Sequence, residues 1–337
     1  MTVDNQLARV LRLYPDDCQP LAVEPYVSPE GFSGAQLWRV TALRGPLCLR
    51  RWPAQHPTPE RLEFIQAVLW HVDQEGFHSI PLPLETQHHH GFVRHAGHLW
   101  ELTPWLPGVA NYRASPSSAK LQHALIALAK FHRAAALFPL PETGPTTSPG
   151  LLERRSRLAE LMTVRLSEIR SAVVPEVWPD LAPRAARLIA LFAAAAPKVV
   201  DLLESAAQIR VGLQPCIRDV WHAHVLFVGE QVSGLVDFGS MRPENVAADI
   251  ARLLGSLAGD NPGDWQQGLA AYQTVRRLSD GELKLMTTFD RSTVLMGGLQ
   301  WLEWIYLERR TYADHPAVLA RIDEFLSRLE KLTQTLG

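Results

Sequence analysis

Cysteine is scarce: Cys18, Cys48 and Cys216 are the three in 337 residues, far apart and never in CxxC spacing. That excludes a disulfide framework and a thiolate zinc site. Cys216 reads as a buried, inert thiol. Long apolar runs are missing too. The most apolar stretch, residues 188–200, falls short of the roughly 20 residues of a membrane-spanning helix and contains Pro197 and Lys198. The opening residues, MTVDNQLARVLRLYPDD, carry acids near their start and no small-residue cleavage site behind an apolar core. The expectation is a cytoplasmic chain with no membrane partner. Net charge is also small: 33 Lys and Arg against 35 Asp and Glu give a formal charge of -2. The broad positive field that non-specific nucleic-acid binding uses is therefore absent, and no nucleic-acid partner is expected. No internal repeat or block of like charge occurs. What remains is an average globular composition, 47% hydrophobic and 20% charged, in a chain long enough for two lobes. The expected partner is a small molecule.

The pattern changes along the chain. Residues 36–41 and 46–51 are short apolar runs separated by Arg44-Gly45, a hairpin pattern. Thr58-Pro59-Glu60 then opens a helix to about Glu75, with Leu62, Ile65, Leu69 and Val72 on one face and Gly76 as its stop. Two further strands are expected at 91–94 and 98–102. The first part thus reads as a small antiparallel sheet with one helix. From Ser117 onward helical spacing prevails, over 117–136, 151–170, 183–207, 245–258, 265–277, 280–312 and 317–336. An island of strand is expected inside this half, at 208–213, 225–228 and 232–236. The fold class is α+β, with lobes 1–103 and 104–337 divided near Pro104.

The island carries the chemistry. Residues 225–228 and 232–236 flank Gly229-Glu230-Gln231 and should form a hairpin. Counting outward from Glu230, His224 lies six residues before and Asp237 seven after, so they meet at the open end. Asp219 enters the same hairpin, and Gly239 permits close approach of backbone or ligand. Converging acids at a hairpin end suit a hard cation with oxygen ligands. Capping or turn carboxylates are the plainer alternative.

Arg218-Asp219-Val-Trp-His-Ala-His224-Val-Leu-Phe, followed by Leu235-Val-Asp237-Phe-Gly239, resembles the catalytic loop and metal-binding turn of the aminoglycoside phosphotransferase and choline kinase family, which has the protein-kinase-like fold. The family pattern is H-G-D-x-x-x-x-N-[VIL]-[LV]-F, then [IV]-D-[FW]-[GE]. Ala248-Asp249-Ile-Ala251 resembles its D-L-A, and Leu128-Ala-Lys-Phe-His132 its L-A-x-L-H. Gly31-Phe-Ser33-Gly34 resembles the glycine-containing hairpin over the nucleotide phosphates. Arg50 stands at the phosphate-contacting cation, Glu63 is the matching candidate for its ion-pair partner, and 100–108, with Glu101 and Thr103, resembles the hinge that meets adenine.

The resemblance implies an ATP-dependent phosphotransferase acting on a small-molecule hydroxyl. Asp219 would accept or orient the hydroxyl proton, Asp237 and His224 would hold Mg²⁺ or Mn²⁺, and ATP would lie between the lobes. The sequence departs from the family in four places: His224 replaces the metal-ligating Asn, Ile217 the loop His and Arg218 its Gly, and Gly34 stands in the phosphate loop where relatives commonly have Asn. Imidazole suits transition metals better than Mg²⁺. A catalytically weak or inactive nucleotide-binding regulatory module is the alternative these departures favour. His88-His89-His90, with His95 and His98, read as exposed strand and turn residues, since no carboxylate or Cys joins them at ligand spacing.

Overall fold

The structure is a computed structural model that describes residues 3–27, 34–141, 144–174, 178–312 and 314–336. The chain divides into two compact units. One comprises Met1–Leu140, Gln214–Arg242 and Gly263–Arg277; the other comprises Pro141–Leu213, Pro243–Pro262 and Leu278–Gly337.

The first unit is built on an antiparallel sheet of five strands, β1 (Pro20–Tyr26), β2 (Gln36–Ala42), β3 (Gly45–Arg51), β4 (Val93–His95) and β5 (His98–Pro104), in the order β1-β2-β3-β5-β4. Alternation decides which face is buried: Trp38, Val40 and Ala42 of β2, with Leu47 and Leu49 of β3, enter one core. β1 lies at the edge, where Pro20 and Pro25 cost no central ladder bond. A helix not expected from the sequence, α1 (Val3–Leu11), covers this core with Leu7, Val10 and Leu11. Nine residues are too few for a self-supporting helix, so burial of that face is what holds it. Helix α2 (Pro59–Gln74) begins as expected, with Thr58 Oγ1 accepting the Arg61 N–H at 3.3 Å. Its Leu62, Ile65, Val68, Leu69 and Val72 are buried. Helix α3 (Ser118–Ala135) follows, capped by Ser117.

The second unit is helical: α4 (Pro149–Glu160), α5 (Leu166–Ala172), α6 (Ala182–Ala206), α7 (Ala247–Leu257), α9 (Asp280–Leu302) and α10 (His315–Leu336), while α8 (Pro262–Gln273) lies almost wholly in the first unit. The single helix expected over 151–170 is broken by a π-turn at Leu161–Arg165, and a second π-turn, Glu303–Leu307, ends α9. Arg328 of α10 donates to Asp290 of α9 at 3.0 Å and to Asp260 at 2.7 Å, tying the last helix down.

The strand expected at 208–213 is corrected. Helix α6 runs to Ala206, and Val211 makes only an isolated bridge to Thr146 among the described residues. The alternation there has no neighbouring strand to pair with, so it stays a loop until β6 (Gln214–Cys216).

Candidate active site

Strands β7 (Val225–Val228) and β8 (Gln231–Leu235) form the expected hairpin, turning at Gly229, whose φ of 60° suits glycine. Pairing runs from Val228 and Gln231 to Val225 and Leu235, with a bulge between Leu226 and Phe227. The bulge offsets the two arms by one residue, and the Val236 N–H then reaches the His224 carbonyl at 3.0 Å. The segment after β5 seats this hairpin: Val109 and Phe227 exchange backbone bonds of 3.0 and 2.9 Å. Gly108, at φ 98°, makes the approach possible, because a Cβ there would stand 2.4 Å from Ser233 Oγ and 2.6 Å from the Phe227 carbonyl oxygen.

At the open end the chain turns sharply, with Arg218 at φ 66° and Asp237 at φ 64°. Left-handed non-glycine residues are uncommon and cluster where side chains must be aimed. Asp237 Oδ1 lies 3.1 Å from Arg50 Nη1, and its Oδ2 lies 3.6 Å from His224 Nε2. The His224 Nδ1 atom is in turn 2.7 Å from the Asp219 carbonyl oxygen. One imidazole therefore spans the two acidic residues picked out from the sequence.

Burial works against a charged Asp237, yet the Arg50 guanidinium and the Gly239 N–H overcome it and hold the carboxyl below the usual carboxylate range. Arg50 also lies over the ring of Trp52, 4.5 Å from its centroid. Gly239 admits that ring: its Cβ would meet Trp52 at 3.0 Å. Glu101 stands opposite Arg50 across β3 and β5, and burial pushes its carboxyl upward despite the guanidinium. Thr103 is the cross-strand neighbour of Cys48, whose thiol burial pushes up to about 11. That thiol is therefore protonated and unreactive at neutral pH.

Glu63 is the residue the structure moves away. It pairs at 4.0 Å with Arg94, both more than half exposed, and lies off the buried stripe of α2. The residue of α2 that reaches the Arg50 surroundings is Gln66, 1% exposed, which donates to Glu101 Oε1 at 2.7 Å and to the Gly91 carbonyl at 3.0 Å. Gln66 is four residues from Leu62 and so inside the apolar stripe; a polar residue in that position was the available signal. Trp52 was legible too, two residues beyond Arg50. Gly34 has φ 71°, while Gly31 and Ser33 lie outside the described residues. His88, His89 and His90 sit in an exposed turn around Thr86.

Residues 28–283 match the family model described as the phosphotransferase enzyme family. A homoserine kinase from Methylocella silvestris is 25% identical over 282 residues, covering 82% of this chain and 78% of that protein. One from Rhizobium meliloti is 25% identical over 241 residues, 69% of this chain and 65% of its own. Among solved structures, a microcompartment-associated aminopropanol kinase superposes with a TM-score of 0.66 at 14% identity, covering 99% of this chain and 98% of that one. An amicoumacin kinase solved with AMP-PNP and Ca²⁺ also gives 0.66 at 14% identity, over 98% and 94%. With the protein-kinase-like fold of these neighbours and a family match over residues 28–283, the chain belongs to the phosphotransferase enzyme family and is a small-molecule kinase.

Proposed function

We propose that the site transfers the γ-phosphate of ATP to the hydroxyl of a small amino alcohol, with Mg²⁺ as the cation. The observation that carries this reading is the contact of Arg50 Nη1 with Asp237 Oδ1 at 3.1 Å, with His224 bridging to Asp219. A guanidinium matches phosphate oxygens, and an ionised carboxylate matches a hard cation, so the two halves of a metal–phosphate group have partners side by side. The donors fit Mg²⁺, which is commonly held by one or two carboxylates, with phosphates and water completing its shell. When bound, the cation neutralises charge on the phosphates.

The chain's own residues do the rest. Arg50 holds phosphate oxygens, with Trp52 and Glu101 fixing its direction. Gly31, Ser33 and Gly34 cover the phosphates, and the backbone at Glu101 and Thr103 meets the base. Residues 1–103 form the nucleotide lobe and 104–337 the catalytic and substrate lobe. Asp219 orients the acceptor hydroxyl and takes its proton as oxygen bonds to the γ-phosphorus and the bond to the ADP oxygen breaks.

Acceptor identity rests on the homoserine kinases matched across two thirds or more of the chain. The test is ATP turnover with Mg²⁺ and with Mn²⁺ over homoserine, aminopropanol, choline and aminoglycosides. The expected result is turnover with a short amino alcohol. Absence of turnover with every acceptor, together with no thermal stabilisation by ATP and either metal, overturns the reading.

A further inference from the structure

All four hydrogen-bonding groups of His224 are engaged, and the partners fix its chemistry. Its main-chain N–H donates to the Trp221 carbonyl at 2.9 Å, and its carbonyl accepts from the Val236 N–H at 3.0 Å. Its Nδ1 faces the Asp219 carbonyl oxygen at 2.7 Å, and its Nε2 receives the Trp221 indole N–H at 2.9 Å. An indole N–H only donates and a carbonyl only accepts. Nε2 therefore carries the lone pair and Nδ1 the proton, one neutral tautomer satisfying both contacts. Trp221 is 9% exposed, and its ring meets His224 edge-on with centroids 5.4 Å apart. Packing as well as the hydrogen bond keeps the indole in place. A cation approaching Nε2 from Asp237, 3.6 Å away, would need the lone pair the indole already uses.

We infer that His224 is a positioning residue rather than a metal ligand, and that Trp221 locks it in that role. The inference rests on the kinase reading of Asp219 and Asp237. A side-chain amide here would offer one N–H donor face and one carbonyl oxygen. The imidazole keeps the donor half, which tethers the backbone at Asp219, and Trp221 takes the acceptor half. The protein's contribution to the cation is then Asp237, with phosphate oxygens and water around it. That is an all-oxygen set suited to Mg²⁺, whereas an open imidazole nitrogen would draw transition metals. Trp221 thus sets metal preference as well as loop geometry.

The first test needs no metal. Nitrogen NMR of ¹⁵N-histidine-labelled protein should show His224 with its proton on Nδ1 and an accepting Nε2. A proton on Nε2 overturns the lock. The second test is pulsed EPR of Mn²⁺ bound with a methylene analogue of ATP. Wild type should show no histidine ¹⁴N coupling, Trp221→Phe should show it, and Trp221→Phe with His224→Asn should lose it again. Coupling in wild type, or none in Trp221→Phe, overturns the inference. If Mn²⁺ and the nucleotide analogue fail to bind at all, the kinase reading fails, and the nitrogen spectrum still decides the lock. Positioning is read kinetically: Trp221→Phe should lower kcat about tenfold or more, with the nucleotide KM little changed. A variant with wild-type kcat overturns the positioning role.

Discussion

Arg50 and Asp237 stand 187 residues apart in sequence and 3.1 Å apart in space. The proposed roles of Asp219 and Asp237 separate in a measurement. Asp219→Asn should cut turnover by about 10²-fold or more while leaving nucleotide affinity near wild type, because a proton acceptor acts on the hydroxyl and not on bound phosphate. Asp237→Asn should weaken both metal–nucleotide binding and turnover; calorimetry and a turnover assay on the two variants read the difference. The pair also has a pH signature. The Asp237 carboxyl is held below its ordinary value, so its pairing stabilises the fold above the unfolded-state pKa of about 3.9 and that contribution is lost as pH falls through the lower folded value. Wild type should therefore exceed Asp237→Asn in stability at neutral pH, and the gap should close below about pH 4 in urea titrations. A gap that widens with acid would contradict the pairing.

Among the elements, α2 shows how a helix face is chosen. Leu62, Ile65 and Leu69 are at helical spacing, and Gln66 shares their buried face, so its amide must find partners there. It finds Glu101 and the Gly91 carbonyl, and Gly91 is needed: a Cβ would lie 2.0 Å from Gln66 Oε1. Gln66→Leu removes the donor from a buried carboxyl and should cost about 2 kcal/mol, read as a fall in Tm and in urea midpoint. Thr58→Ala removes the cap of the same helix and should cost about 1 kcal/mol. The helix and its cap were legible in the sequence because Thr-Pro-Glu and a 3.6-residue stripe are local signals. Gln66 as the brace was not, because its partners arrive from β5 and from residue 91. Helix α1 escaped for a related reason, since its stability comes from a sheet that the first residues do not announce.

For the molecule as a whole, binding to the folded state is the term that mass action can move. ATP with Mg²⁺ at a hundred times its dissociation constant should add about 2.7 kcal/mol, a rise in Tm of roughly 5 °C. Arg50→Ala should abolish most of that rise, since the guanidinium is the phosphate partner in the proposed site. A rise in Arg50→Ala equal to that of the wild type, followed by fluorimetry at matched saturation, would show that the nucleotide is held elsewhere. The second unit offers a control remote in sequence. Arg328→Ala leaves Asp290, a largely buried carboxylate, without its cation and should cost about 3 kcal/mol, lowering Tm while the ATP-dependent rise persists.

The sequence by itself determined the sheet-then-helix order, the start of α2, the hairpin around Gly229 and the meeting of His224 with Asp237, because each follows from periodicity, turn chemistry or counting along two strands. Arg50 and Asp219 were singled out by the resemblance of their segments to the family's motifs. Only the tertiary structure decided who partners whom. Glu63 turned outward to Arg94 while Gln66 took the inner position. Residues 208–213 stayed a loop for lack of a neighbouring strand. The tautomer of His224 was set by a tryptophan three residues before it and a carbonyl five before it. Hydrogen-bond direction depends on where donors and acceptors finish in space, and a linear pattern of residue types does not carry that information.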